Sequence, residues 1–376
     1  MTGAGRYALE TARSLQRARP DWRFSLFSNR PELLRWSSPG TSRIGTKLPT
    51  ERASARVAWL HSAAAVPTIR LKPDIWFSPA FVLPLWWRGP SVVTVHDLTF
   101  LLLRRRYRGR LNAWYASAAT RSSVRRAGRV LCGSLATRES LITHMGVESE
   151  KITVIPYGVS DAFFAPPTFG CDPESGVRGV PYVLFVGTRE ARKGLSTLYA
   201  ALRLLNAEHC RVRLVLAGQD GWGTERLMEE MRSDPTVELR DKPSDEELSH
   251  LYRDALALVY PSEMEGFGLP VAEAMACGCA VIASDLPSIR EFAGDHPFYI
   301  TPGDSANLAT QIQGLLNGDH DVERRRATAR DAVTSLRWDL LGDLTAKVLE
   351  QVSGVGPRPV QAPRSRDQGA DLRPEG

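Results

Sequence analysis

Short apolar runs recur along the chain, each followed by a longer stretch whose apolar residues fall at helical spacing. In the second half the runs are YVLFVG (182–187), RLVLAG (213–218), ALALVY (255–260) and AVIAS (280–284). They are apolar at successive positions rather than alternating, which predicts strands covered on both faces, as in a parallel sheet. The first half repeats the pattern less cleanly, in DIWFS (74–78), SVVTVHD (91–97), RVLCGS (129–134) and KITVIPYG (151–158). Strands alternating with helices predict an α/β protein made of two doubly wound, Rossmann-like domains.

The punctuation between the runs sets the boundaries. AFFAPPTFGCDPESGVRGVP (162–181) is rich in Pro and Gly and has no period, so it reads as the linker between a domain at 1–165 and a second at 166–334. SLRWDLLGDLTAKVLEQV (335–352) reads as one further helix, and 353–376, dense in Pro, Gly and charge, as a disordered tail. At the start, Gly3 and Gly5 look like the Gly-rich turn that follows the first strand of such a fold, with only Met1 and Thr2 ahead of them. The expectation is therefore an N-terminal domain without its first strand, its start misplaced or truncated.

Composition narrows the class. A chain of 376 residues, 43% hydrophobic and 24% charged, has the balance of a globular protein with two cores. No run reaches the roughly 18 apolar residues of a spanning helix, and MTGAGRYALE lacks a signal peptide's apolar region, which predicts a cytoplasmic protein. The five cysteines are scattered and lack zinc-site spacing. The net charge of +6 hides an asymmetry: residues 1–165 hold 25 Lys and Arg against 10 Asp and Glu, and the remainder 23 against 32, so +15 faces −9. A basic half fits an anionic lipid, an anionic acceptor or nucleic acid, or simply an arginine-solvated surface.

The candidate chemistry lies in SEMEGFGLPVAEAMACGCAVIASD (262–285). Pro270 fits the first turn of a helix, which leaves Glu265 in the loop and Glu273 about one turn inside. Gly266 and Gly268 carry no side chains, so backbone N–H groups and the positive helix end can approach an anionic or hydroxyl-rich ligand. A carboxylate accepts two hydrogen bonds from a vicinal diol, so two of them flanking this loop suit sugar or ribose hydroxyls. Upstream, VGTREARKGLSTL (186–198) places Gly187 after a strand, then Arg189, Arg192 and Lys193 before a helix. A helix start with cations is a cradle for a diphosphate.

Together these residues resemble the retaining glycosyltransferases of family four, the group 1 type with the two-domain GT-B fold, in a mannosyltransferase-like branch. The resemblance runs from Gly3 to about Leu349 and is strongest from Ser244 to Asp295. It implies that Glu273 holds the donor's ribose and that Glu265 acts on the transferred sugar's hydroxyls. It further implies that Gly266, Phe267, Gly268 and Leu269 line the sugar, that Lys193 neutralises the diphosphate, and that His96 stands near the anomeric carbon. Where the family has an arginine directly after the glycine, this chain has Thr188, and Arg189 or Arg192 is left to take its place. Asp241 and Lys242 stand where relatives often have a glycine turn. Cations and a helix dipole stabilise a departing diphosphate without a metal, and no DxD pair is evident, so neither metal nor cofactor is expected.

The activity implied is transfer of a hexose, with mannose favoured and GDP-mannose its donor, from a nucleoside-diphosphate sugar to a saccharide or lipid-linked acceptor, with retention of configuration. A sugar-nucleotide epimerase of the same fold and a non-catalytic sugar-nucleotide-binding relative are the alternatives. No nucleic-acid-binding module is recognisable. LTFLLLRRRYRGRLNAWYASAATRSSVRRAGR (98–129) sets apolar and aromatic residues beside a basic cluster. That fits either a protein peripheral on an anionic membrane or a core-facing helix with a solvated basic side.

Overall fold

The structure is a computed structural model and describes residues 3–28, 41–45, 58–104, 109–165, 180–207, 210–318 and 321–354. In the first half the strands are β1 (Ser25–Ser28), β2 (Ser42–Gly45), β3 (Trp76–Ser78), β4 (Ser91–Thr94), β5 (Arg129–Cys132) and β6 (Ile152–Val154). Helices α1 (Gly3–Ala18), α2 (Ala65–Leu71), α3 (Thr99–Leu102), α4 (Arg110–Arg126), α5 (Leu135–Met145) and α6 (Asp161–Phe164) lie between and around them. A parallel sheet in the order β3-β4-β5-β6 stands beside a separate parallel pair, β1-β2. Among the described residues no strand precedes α1.

The second half is the more regular. Its strands are β7 (Tyr182–Val186), β8 (Arg213–Gly218), β9 (Val237–Asp241), β10 (Ala257–Tyr260), β11 (Val281–Ser284) and β12 (Phe298–Ile300). All pair in parallel, in the order β12-β11-β10-β7-β8-β9. Helices α7 (Leu195–Ala207), α8 (Glu225–Ser233), α9 (Asp245–Asp254), α10 (Leu269–Ala276), α11 (Pro287–Ala293), α12 (Ser305–Leu316) and α13 (Asp321–Val333) complete it. The successive apolar residues of β7 explain why both faces are covered. Leu184 and Val186 enter one core with α10, while Val183 and Phe185 enter another with α7 and α12. The chain order reverses between β7 and β10, so the crevice at their carboxyl ends is the switch point where such folds take ligands.

Helix α14 (Trp338–Ser353) leaves the second sheet and lies against α1. Gly342 permits this, because a side chain there would run into the backbone of Ser14. Arg19, just past α1, also donates to Glu350 at 2.6 Å. Two expectations are corrected. Gly3 and Gly5 are the first turn of α1 rather than a turn ahead of it, because the helical spacing of buried Tyr7, Thr11, Ser14 and Leu15 carries back through them. The linker reading of 162–181 begins too early: Asp161–Phe164 is a helical turn that buries Phe163 and Phe164, and apolar burial overrides the missing period. Residues 166–179 of that stretch, and 355–376 of the tail, lie outside the described residues.

Candidate active site

The loops after β7 and β10 meet at the switch point. The first leaves β7 through Gly187, whose φ of 148° favours glycine, followed by the half-buried Thr188. A 3-10 turn (Ala191–Lys193) then sets Arg192 and Lys193 towards the second loop. Lys193 Nζ donates to Glu265 Oε1 at 2.6 Å and to Tyr260 Oη at 3.0 Å. Arg192 donates to Glu190 at 2.9 Å and to the Met264 carbonyl at 3.1 Å, and stands 3.5 Å from Glu265. Glycine at 194 is needed because a side chain there would collide with the Pro261 carbonyl, so the two loops touch backbone to backbone.

This arrangement sets the charge states. Burial alone would push Glu265 up, but Lys193 and Arg192 outweigh it and hold the carboxyl at about 2. It is therefore a fixed anion at neutral pH, suited to accepting hydrogen bonds rather than exchanging protons. Burial lowers Lys193 and Glu265 opposes the shift. Burial also raises Glu190, against the pull of Arg192 and Lys193.

Arg189, a candidate for the diphosphate, is engaged elsewhere. Its guanidinium is almost fully buried and pairs with Asp220, at 2.9 Å, and with Asp241. Those carboxylates lie just beyond β8 and at the end of β9, so Arg189 ties three strand ends together. Of the two arginines left open by the sequence, Arg192 is the one beside Lys193 and Glu265. Next to Asp241, Lys242 has a φ of 51°, the left-handed conformation for which the resemblance assigns a glycine.

The loop after β10 ends in Gly268, at φ 102°, as the N-cap of α10, with Pro270 in the first turn. Leu269, which opens the helix, is buried, and so is Phe267, whose ring stacks on Phe292 at 4.7 Å. Gly266 needs its missing side chain for a further reason. A Cβ there would strike the carbonyl of His96, so Gly266 lets the loop approach the first domain's backbone closely. The Gly266 carbonyl also accepts from Ser134 Oγ at 2.6 Å. Nearby, Glu291 of α11 accepts from the amides of Leu135 and Ala136, both at 2.7 Å, at the start of α5. The cleft is drawn together at this point.

Glu273 lies one turn into α10, buried, accepting from Tyr252 Oη at 3.0 Å and standing 3.2 Å from Arg6 of α1. Arg6 also pairs with Asp245 and sits over the Phe163 ring. Burial raises Glu273, and Arg6 only partly offsets it.

From the first domain His96 follows β4. Its Nδ1 is 2.6 Å from Tyr157 Oη, and Tyr7 and Phe81 meet its ring edge-on. Burial lowers it to about 4 despite Asp97, so the imidazole is neutral at pH 7. Its Nε2 is buried without a well-formed hydrogen bond, the Pro79 carbonyl being the protein group that acts on the ring. A polar atom so placed normally has one, so the ring is suited to a ligand hydroxyl.

The structure thus brings His96, Gly266, Glu265, Lys193 and Arg192 into one crevice, and Glu273 joins it from the helix. Arg6, Tyr7, Tyr157, Tyr260 and Glu190 were missed. Glu190 had a signal, an acid between two arginines in TREAR, and Tyr260 closes the apolar run of β10; Arg6, Tyr7 and Tyr157 had none, since only the packing of α1 and of the segment after β6 brings them in. Among the described residues no group of three or more His, Cys, Asp or Glu could hold a metal ion.

Known proteins can now be set beside this geometry. Residues 1–163 match the model of Glycosyltransferase Family 4 and residues 174–332 that of Glycosyl transferases group 1. The chain belongs to the group 1 glycosyltransferases. It is 29% identical over 348 residues to an O-antigen chain mannosyltransferase B of Escherichia coli, covering 88% of this chain and 90% of that protein. It is 29% identical over 272 residues to an MMP alpha-(1->4)-mannosyltransferase of Mycolicibacterium hassiacum, covering 71% of this chain and 60% of that protein. In structure it resembles the sucrose-phosphate synthase of Thermosynechococcus elongatus, with a TM-score of 0.74 at 21% identity over 91% of this chain and 92% of that one. HepE of Anabaena, in complex with UDP-glucose, superposes with a TM-score of 0.73 at 19% identity over 93% and 96% of the two chains. The fold is GT-B: two Rossmann-like domains facing a cleft.

Proposed function

We propose that this glycosyltransferase moves a hexose, mannose in the first instance, from a nucleoside-diphosphate sugar to a saccharide or lipid-linked acceptor, with retention of configuration. The observation that carries the reading is the buried pair of Lys193 and Glu265 at the switch point, with Arg192 beside it and His96 across the cleft. Lys193 and Arg192 meet the negative charge that grows on the departing diphosphate, so they act more on the transition state than on the ground state. Glu265, ionised throughout, accepts from the sugar's hydroxyls and orients the ring. His96, neutral, offers Nε2 to a hydroxyl near the anomeric carbon. Glu273 takes the ribose, exchanging its contact with Arg6 for the diol. Neither glutamate is free to act as a nucleophile: Glu265 is held by cations and Glu273 by Arg6 and Tyr252. Same-face attack with the departing phosphate as base is therefore favoured over double displacement. The relatives named mannosyltransferases favour mannose, and with it GDP-mannose.

The test is to incubate the protein with GDP-mannose, UDP-glucose and other common donors, with a mannose-terminated acceptor, and to assign the product anomer by NMR. The reading expects release of nucleoside diphosphate from one donor class and an α-linked product from an α-linked donor. A β-linked product would refute retention. Absence of turnover with every donor would refute catalysis and leave a sugar-nucleotide-binding relative.

A further inference from the structure

The tautomer of a histidine is set by what its other nitrogen bonds, and that partner is often a carboxylate. The acid next to His96 does not serve. Asp97 Oδ1 accepts instead from the amide and the hydroxyl of Thr99, at 2.9 and 2.6 Å. The partner of His96 Nδ1 is a phenol, Tyr157 Oη, 2.6 Å away in the segment after β6.

That phenol is clamped between the domains. Its ring lies 4.7 Å from the ring of Tyr7 on α1 and 5.0 Å from that of Phe267 in the loop after β10. Glycine at 133 makes room for it, because a Cβ there would come within 2.8 Å of the Tyr157 ring. At Gly158 a Cβ would strike the backbone of Trp338, so the chain beside Tyr157 presses on the start of α14. The buried phenol cannot swing away without moving elements of both domains.

Proton counting fixes the direction of the bond. Burial holds the Tyr157 hydroxyl well above its ordinary 10, so the oxygen keeps its proton. Among the described residues Nδ1 is the one hydrogen-bond partner of that oxygen, since Tyr7 Oη turns to Thr94 Oγ1 at 3.1 Å. A buried hydroxyl proton without an acceptor is costly, so it points at Nδ1. Nδ1 is then bare, and the single proton of the neutral ring sits on Nε2. The Pro79 carbonyl that acts on the ring agrees with this, because a carbonyl is met by an N–H and not by a lone pair.

We infer that Tyr157 is a positioning residue for the transfer: by donating to Nδ1 it keeps the proton on Nε2 and presents His96 to the sugar as a hydrogen-bond donor. The inference rests on the place beside the sugar proposed above for His96. A carboxylate on Nδ1 would draw the imidazole towards its cation, whereas a phenol orients it and leaves it neutral. His96 therefore donates a hydrogen bond to a sugar oxygen without surrendering a proton. Through Phe267, the loop that carries Glu265 bears on the same phenol.

The test is nitrogen NMR of the full chain labelled at histidine, with His96→Gln to identify the His96 signals among the seven histidines, beside steady-state kinetics of Tyr157→Phe. In the wild type Nε2 is expected to carry the proton and Nδ1 to show the shift of a hydrogen-bonded acceptor. In Tyr157→Phe the Nδ1 signal should move to that of a free acceptor. At the same time kcat should fall about tenfold, with donor KM changed by no more than about twofold. A wild-type proton on Nδ1 would overturn the inference, whether or not the variant folds. So would a Tyr157→Phe protein that melts lower but keeps its kcat, since the phenol would then serve packing alone. Should no donor turn over in the wild type, the transfer reading fails by itself, and the nitrogen shifts still decide what Tyr157 does to His96.

Discussion

Glu265 and Glu273 lie eight residues apart with side chains 8% and 4% exposed, yet their pKa values move in opposite directions. Glu265 is held at about 2 because two cations from the loop after β7 face it. Glu273 is raised because burial outweighs its one cation, Arg6, which Asp245 shares. Shielding from water with unequal partners makes one a permanent anion and the other a carboxyl whose charge depends on what lies beside it. The end of the cleft with the fixed charge suits a developing oxocarbenium and a departing diphosphate. The adjustable end suits a neutral diol.

Breaking the fixed end should have the largest effect. Glu265→Gln is expected to cut kcat by about a hundred- to a thousandfold. It should also lower unfolding free energy by about 3 kcal/mol, because Lys193 is left buried and unpaired; saturating-donor kinetics and denaturant titration read the two effects. Next comes the pH dependence of stability. His96 has a folded value of about 4 against an ordinary 6.5, so its contribution is complete above 6.5 and is lost as pH falls from there towards 4. The loss is on the order of 3 kcal/mol, and His96→Gln should flatten that limb of the melting curve. Glu265 adds a similar loss lower down, between the ordinary 4.5 and about 2. Glu273 works the other way: burial raises its pKa, so its protonation as pH falls through the folded value favours the folded state.

Gly266→Ala sharpens the comparison by driving a methyl into the His96 carbonyl. It should cost about 1–3 kcal/mol and raise the donor KM, without altering the pH profile. Arg6→Gln removes the cation at the adjustable end; the pKa of Glu273 should move further up and donor KM rise about tenfold, with kcat kept. The smallest effect is a gain. Lys242→Gly relieves a lysine at φ 51° and should stabilise the fold by about 1 kcal/mol at most, read from its melting temperature.

The second domain was legible because its apolar runs are long, and parallel strands covered on both faces leave that signature. The Glu265 end was legible too, since all its charged members sit in two loops next to strands. The Glu273 end was not. Arg6 comes from a helix far away in the chain, and no local pattern marks a side chain that matters only after two domains pack. Arg189 misled for the same reason: beside Arg192 and Lys193 in sequence it looks like a third phosphate cation, but two distant carboxylates claim it. The contact of Gly266 with the His96 carbonyl was not legible, because closeness of backbones across a cleft has no one-dimensional trace.

The most direct test of the central claim, that Lys193, Arg192 and Glu265 form the donor's diphosphate and sugar site, is calorimetric titration of the wild type and of Lys193→Met with GDP-mannose and UDP-glucose. Binding of one donor by the wild type, weakened at least about tenfold in the variant, is what the account predicts. Equal affinity in both proteins, or no binding of either donor to the wild type, would contradict it.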